Sequence, residues 1–167
     1  MHAPQIIAIH TAPAAAAPMQ ARHEVTARAG AGLAGDRYGQ QAGTFSPDRD
    51  PDFEVTLIEE EALLALARDY GYAMSPAESR RNLTTRGVAL NHLVGCEFWV
   101  GAVRLRGTRL CEPCDHLARL TDRRALKGLL HRGGLRAQIV LGGVMRVGDP
   151  VRPADTDASV APGSVPE

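Results

Sequence analysis

The residues with the clearest chemical potential lie in one stretch, Arg109-Leu110-Cys111-Glu112-Pro113-Cys114-Asp115-His116-Leu117. A cysteine works as its thiolate, which is both the nucleophile and the metal ligand. The stretch leaves a β-like run, Ala102 to Leu110, and enters a helix-like run, Cys114 to Leu120. A thiol at that joint meets the first free N–H groups of the helix, and the helix dipole favours an anion there. Pro113 suits a tight turn, because its φ is fixed and it has no N–H. Arg109 adds positive charge nearby. The competing reading is two small buried thiols that pack as alanine would, which is common for free cysteine. A proline-bracketed pair on a turn favours the working thiol.

Cys111-x-x-Cys114 admits three chemistries. One is zinc, but the pair supplies two ligands where a structural site takes four, and the sequence holds no second pair at ligand spacing. Another is a dithiol redox pair, which normally opens a helix after a parallel strand, whereas the surroundings here read as hairpins. The third is a single thiolate at Cys114 that carries sulfur or ligates a soft metal, with Cys111 as its neighbour.

A second candidate is Arg80-Arg81-Asn82-Leu83-Thr84-Thr85-Arg86-Gly87. Its arginines, asparagine and threonines form a dense donor set for a phosphate or another oxyanion. Asn82, Thr84 and Arg86 fall on one face of a strand. Arg80 or Arg81 alone reads equally well as a solvated edge. The glycine-rich run Gly30 to Gly39 lacks the spacing of a dinucleotide loop, since Asp36-Arg37-Tyr38-Gly39 continues it as loop instead of opening a helix.

Lysine plus arginine and aspartate plus glutamate balance at 19 each, which argues against a broad nucleic-acid surface and a polybasic membrane anchor. The start, Met1-His2-Ala3-Pro4, lacks the basic region of a signal peptide, and no apolar run reaches membrane-spanning length. Three cysteines without a secretory signature point to a reducing cytoplasm, where cysteines do chemistry more often than they staple folds.

These residues must be positioned by many short strands, as 17 glycines and 11 prolines in 167 residues imply. Strands are expected at Gln5 to Thr11, Arg22 to Ala29, Phe53 to Ile58, Glu97 to Val100, Ala102 to Leu110, Leu135 to Leu141 and Val144 to Val151. The last two read as a hairpin through Gly142-Gly143, and Glu97 to Leu110 as a hairpin through Gly101. Cys96 opens a strand and reads as a core thiol. Glu59 to Tyr70 is a helix with a solvated acidic first turn, an apolar stripe and Gly71 as its end. A helix start is expected at Ser75-Pro76, and short helices at Asp115 to Leu120 and Arg123 to His131. Gln40 to Asp52 reads as polar loop. The pattern predicts one mainly β domain over residues 1–152, a barrel closed by its first and last strands with short inserted helices, and a disordered tail over 153–167.

Several stretches together resemble the MOSC domain, the module at the C-terminus of molybdenum cofactor sulfurases and in many small bacterial proteins. They are Gly32-Leu33-Ala34-Gly35-Asp36-Arg37-Tyr38, Val55-Thr56-Leu57-Ile58, Arg81 to Gly87, Pro113-Cys114-Asp115-His116-Leu117, and Gly142-Gly143 through Val151. The resemblance implies a β-barrel and a working cysteine at Cys114, either as ligand to molybdenum in a pterin cofactor or as a persulfide carrier. It implies that Arg81, Asn82, Thr84, Thr85 and Arg86 line the cofactor pocket, with Gly35, Asp36 and Arg37 at its mouth and Arg109 nearby. Two functions follow as expectations. One is reduction of N-hydroxylated compounds with a flavin or iron–sulfur reductase as partner. The other is sulfur carriage from a cysteine desulfurase, whose pyridoxal phosphate belongs to that partner.

Overall fold

The computed structural model describes residues 2–37, 39 and 54–154. The loop expected at Gln40 to Asp52 lies outside the described residues, as does the tail beyond Ala154. The chain is organised as two sheets and a helical layer. The strands are β1 (Gln5–Thr11), β2 (Gln20–Arg22), β3 (Glu24–Arg28), β4 (Gly32–Leu33), β5 (Val55–Glu59), β6 (Leu83–Arg86), β7 (Glu97–Val100), β8 (Val103–Leu110), β9 (Leu135–Leu141), β10 (Gly143–Arg146) and β11 (Val151–Pro153). The helices are α1 (Glu60–Tyr70), α2 (Asp115–Leu120) and α3 (Arg124–Gly128), with a 3-10 turn at Leu90–Leu93.

Eight strands form one sheet in the order β11-β7-β8-β9-β5-β6-β1-β2, and β10-β3-β4 form the other. The fold is mainly β, as expected, but the large sheet is not a closed barrel. Its first and last parts touch only by a bridge: Ile6 N–H donates to Asp149, Gly148 N–H to Ile6 and Val151 N–H to Pro4. The Gly142-Gly143 hairpin does not form either. β9 pairs with β5 and β8, while β10 turns away to pair with β3. Gly142 explains why the chain passes here, since a Cβ on it would stand 2.6 Å from the Ala27 carbonyl oxygen. The Gly101 hairpin does form, with Val100 opposite Val103. The strand expected over Arg22 to Ala29 splits into β2 and β3. Pro153, expected in the tail, pairs with Phe98.

Apolar alternation builds one core between the sheets, including Ile6, Ile9, Val25, Leu33, Leu57, Phe98, Leu105 and Met145. The opposite face of β5 presents Ile58 to a second cluster, made by Ala62, Leu63 and Leu66 of α1, Leu117 of α2, and Ala125 and Leu129. Leu117 thus anchors α2 three residues after Cys114. α1 ends as expected on Gly71 in the left-handed region at φ 69°. Its glutamates are bonded as well as partly solvated: Glu59 accepts from Leu90 N–H at 2.7 Å, the exposed Glu61 from Gly87 N–H at 2.7 Å, and Glu60 from both ends of the Arg86 guanidinium.

Ser75 and Glu78 exchange two bonds, Ser75 N–H to Glu78 Oε2 at 2.8 Å and Glu78 N–H to Ser75 Oγ at 3.2 Å. That is a capping box, yet only a turn follows and no helix. The chain is instead drawn into β6 by its parallel pairing to β5.

Candidate functional site

The C-terminal ends of β8 and β4 and the starts of β5, β6 and β9 meet around an open cleft. Arg37, Arg80, Arg81 and Arg136 line it together with Cys111 and Cys114. Thr56 of β5 and Arg136 of β9 are register partners, so they share the face that floors it. Glu112, His116 and Leu117 complete the lining. Four guanidinium groups stand against one carboxylate, and this balance favours an anionic ligand. Burial, then the charges of Arg80, Arg119 and Arg37, hold the His116 imidazole below its ordinary value.

Arg81 ties the cysteine segment down. Its Nε donates to Gly133 O at 3.0 Å, Nη1 to Ser79 O at 3.1 Å and Nη2 to Cys111 O at 3.1 Å. A buried cation is thereby satisfied by carbonyls instead of a carboxylate, so its charge still acts on the cleft. Cys111 N–H donates to Gly134 O at 2.7 Å, and a Cβ on Gly133 would meet the Cys111 carbonyl oxygen at 2.5 Å. The segment therefore lies flat on Gly133-Gly134. Residues 111–114 run without the tight turn that Pro113 led us to expect. The joint itself is where expected, with β8 ending at Leu110 and Cys114 capping α2. Cys111 is buried and Cys114 exposed.

Arg37 is set by Asp36. Nη1 of Arg37 lies 3.2 Å from Asp36 Oδ1, and its Nη2 donates to Arg80 O at 3.2 Å. Asp36 is fully buried and accepts from Ala12 N–H at 3.0 Å. Arg80 is left-handed at φ 61° and donates from Nη1 to Ala17 O at 2.7 Å. A non-glycine residue in that region costs roughly 1 kcal/mol, which the contacts on both sides of Arg80 offset.

The expected site residues thus divide. Arg37, Arg81 and Cys114 reach the cleft. Asn82, Thr84 and Thr85 are fully buried beside it. Asn82 Oδ1 accepts from Thr56 N–H at 3.0 Å and its Nδ2 donates to His10 O at 3.1 Å, so it stitches β5 to β1. Thr85 Oγ1 reaches Ile58 O at 3.4 Å. Arg86 does not share a ligand face with Asn82, because Glu60 takes its guanidinium at 2.6 and 3.1 Å. Arg109 is exposed on β8 and outside the lining, and Gly35 serves a left-handed turn at φ 79°. Cys96, expected in the core, is exposed just before β7. Arg136 and Thr56 were missed, because only the β5–β9 register reveals that they flank the thiol. Among the described residues no group of three or more His, Cys, Asp or Glu is placed to hold a metal, so a zinc centre has no ligand set. Among the described residues no helix is long and apolar enough to cross a membrane.

His10 supplies a test of the wall beside the cleft. It is 8% exposed and its Nδ1 has no partner among the described residues. Burial lowers its pKa from the ordinary 6.5. The unfolded chain therefore takes up a proton first as pH falls, so stability is full above about 6.5 and declines below it. Urea midpoints at about pH 7.5 and about pH 5.5 should show this decline, and His10→Gln should flatten it. His116 shifts the same way and adds to the slope, while the raised carboxyls of Glu54 and Glu59 oppose it.

The MOSC domain family model matches residues 34–152. No curated protein sequence matches the chain. Among solved structures, the YuaD protein from Bacillus subtilis superposes with a TM-score of 0.75 at 14% identity, covering 90% of this chain and 94% of that one. YiiM from Geobacillus stearothermophilus gives 0.68 at 16% identity, with coverage of 93% and 77%. YiiM from Escherichia coli gives 0.65 at 18% identity, with coverage of 90% and 69%. With the family model spanning the cleft, the cysteine segment and most of the large sheet, the chain belongs to the MOSC domain family, a family associated with molybdenum cofactor binding.

Proposed function

We propose that the chain binds a molybdenum pterin cofactor in this cleft, with the Cys114 thiolate as metal ligand, and reduces N-hydroxylated compounds. One observation carries the reading: an exposed thiol and four arginines share a single cleft. The donor set fits the group. Thiolate suits a soft metal, and guanidinium groups suit the phosphate that such a pterin bears. Cys114 would hold the metal, while Arg37, Arg80, Arg81 and Arg136 would hold the anionic part. Asn82, Thr84 and Thr85 would fix the strand beneath it, with Gly35 and Asp36 shaping the turn that presents Arg37. When bound, the cofactor supplies two-electron reduction. An N–OH group takes two electrons and two protons to become N–H plus water, so an external flavin or iron–sulfur reductase must feed the site. The balance of charge and the three free cysteines suit a reducing cytoplasm, with residues 1–152 acting as one unit.

Cys114 is also the observation behind a second reading, sulfur carriage from a pyridoxal-phosphate cysteine desulfurase. An exposed thiol beside the mouth is open to a partner's loop, and Cys114 would carry the sulfur as a persulfide.

The deciding experiment expresses the wild type and Cys114→Ala in a host that makes the cofactor, then measures bound molybdenum. Near-stoichiometric metal in the wild type and a loss of tenfold or more, about 1.4 kcal/mol at the least, in the variant is the expected result. Metal in neither protein, with a persulfide forming on Cys114 after incubation with desulfurase and cysteine, moves the function to sulfur carriage.

A further inference from the structure

The charges of the chain balance overall, but they are unevenly placed. Residues 115–136 hold six arginines and lysines against two aspartates. Three of the six are occupied. Arg124 forks onto Asp122 with bonds of 2.9 Å from Nε and Nη2, Arg132 spans Gly128 O and Asp69, and Arg136 lines the cleft. The side chains of Arg119, Arg123 and Lys127 make no hydrogen bond or ion pair among the described residues, and all three are exposed. Arg123 and Lys127 stand four residues apart along α3, where like charges so spaced repel each other, and Arg119 adds a third cation at the end of α2. Folding gains nothing from this arrangement. Arg119 and Arg123 border an open groove with Asp115 and Ala118. Leu120 and Leu130 stand exposed on the same two-helix unit at 41% and 54%.

α2 alone separates this groove from the cleft. Its cap is Cys114, and Leu117 lines the cleft while Ala118 and Arg119 line the groove. A helix is about 10 Å across with its side chains, so the surface of a partner seated in the groove comes within roughly that distance of the thiol.

We infer that the α2–α3 face docks the acidic surface of the electron carrier, with Arg119, Arg123 and Lys127 as its contacts. The inference rests on the reductase reading above. The reduced carrier gives up its electrons across α2, and the N–OH substrate accepts them with two protons from water. Cations that meet no partner at home steer an acidic protein toward the thiol side of the molecule and fix its register there. Leu120 and Leu130 supply the apolar contact that charge alone does not.

The test uses a flavodoxin and a plant-type ferredoxin, both acidic carriers, titrated onto the full chain. The comparison is with Arg119→Glu/Arg123→Glu/Lys127→Glu. Saturable binding at low salt, weakened about tenfold or more both by the reversal and by raising salt several-fold, is the expected result. Arg119→Lys/Arg123→Lys should keep most of the binding. Equal binding by the reversal variant, or binding of neither carrier at low salt, overturns the inference. Bound molybdenum should be the same in the reversal variant and the wild type. Loss of metal in Cys114→Ala with docking retained leaves the two results separable, as does docking lost with metal retained.

Discussion

Arg81→Ala is expected to lower the unfolding free energy by about 3 kcal/mol and to release the cysteine segment from the sheet. The side chain is 8% exposed and gives its donors to three carbonyls from three separate parts of the chain: Ser79, Cys111 and Gly133. A charged donor contributes roughly 1.5–3 kcal/mol per bond, and the open cleft admits water to part of what is left bare, which lowers the sum. Urea unfolding of the two proteins gives the difference directly. Alkylation of Cys111 gives the local effect, because a thiol that is 2% exposed should become reactive once the carbonyl beside it is free. Arg81→Lys can remake one bond but not the fork, so it should recover less than half of the loss. Wild-type stability in Arg81→Ala would mean that Gly133-Gly134 alone seats the segment.

Asn82→Ala should cost about 2–3 kcal/mol, with no direct contact to the ligand lost. Asn82 is fully buried and holds two neighbouring strands at once. It accepts from Thr56 N–H at 3.0 Å and Thr56 Oγ1 at 3.1 Å, and donates to His10 O at 3.1 Å. Truncation leaves the Thr56 N–H and the His10 carbonyl without these partners in a place with no room for bulk water. Thr56 floors the cleft beside Arg136, so the loss should also loosen anion binding. Thermal unfolding measures the first effect and phosphate titration the second. Asn82→Asp tests the chemistry. It keeps the acceptor for Thr56 but sets a carboxylate against the His10 carbonyl, so it should be at least as damaging as alanine.

The structure also sorts the acidic residues by role. The carboxyls of Asp69 and Asp122 are held down to about 2 by the guanidinium groups of Arg68 and Arg124. Both pairs are exposed, and what they contribute is present above about 3.8 and lost as pH falls from there to about 2. The carboxyls of Glu54 and Glu59 are pushed up by burial instead. Their contribution is present below their unfolded pKa and fades as pH rises through the raised one. They stay because each answers a backbone N–H, Ile139 at 2.6 Å for Glu54 and Leu90 at 2.7 Å for Glu59.

Local pattern alone determined most of the elements. Alternation in Gln5 to Thr11 and Val55 to Ile58, the stripe from Ala62 to Leu66 and the stop at Gly71 are decided within a few residues, so they can be read without the fold. The joint at Cys114 is legible for the same reason, since a β run and a helix run meet there. Pairing between distant strands is not local. Gly142-Gly143 carries a good hairpin signal, yet β10 leaves β9 because β3 offers its edge and a Cβ at Gly142 would strike Ala27. The donor set from Arg80 to Arg86 was visible as composition, but its members were sorted only in three dimensions. Glu60 claimed Arg86, Thr56 and His10 claimed Asn82, and Arg81 turned to the carbonyls of the cysteine segment. Arg136 joined the site from far along the chain through one register contact with Thr56. Side-chain type states what a residue can bond. Which partner it meets depends on strand register and burial, and those are settled by the packing of the whole chain.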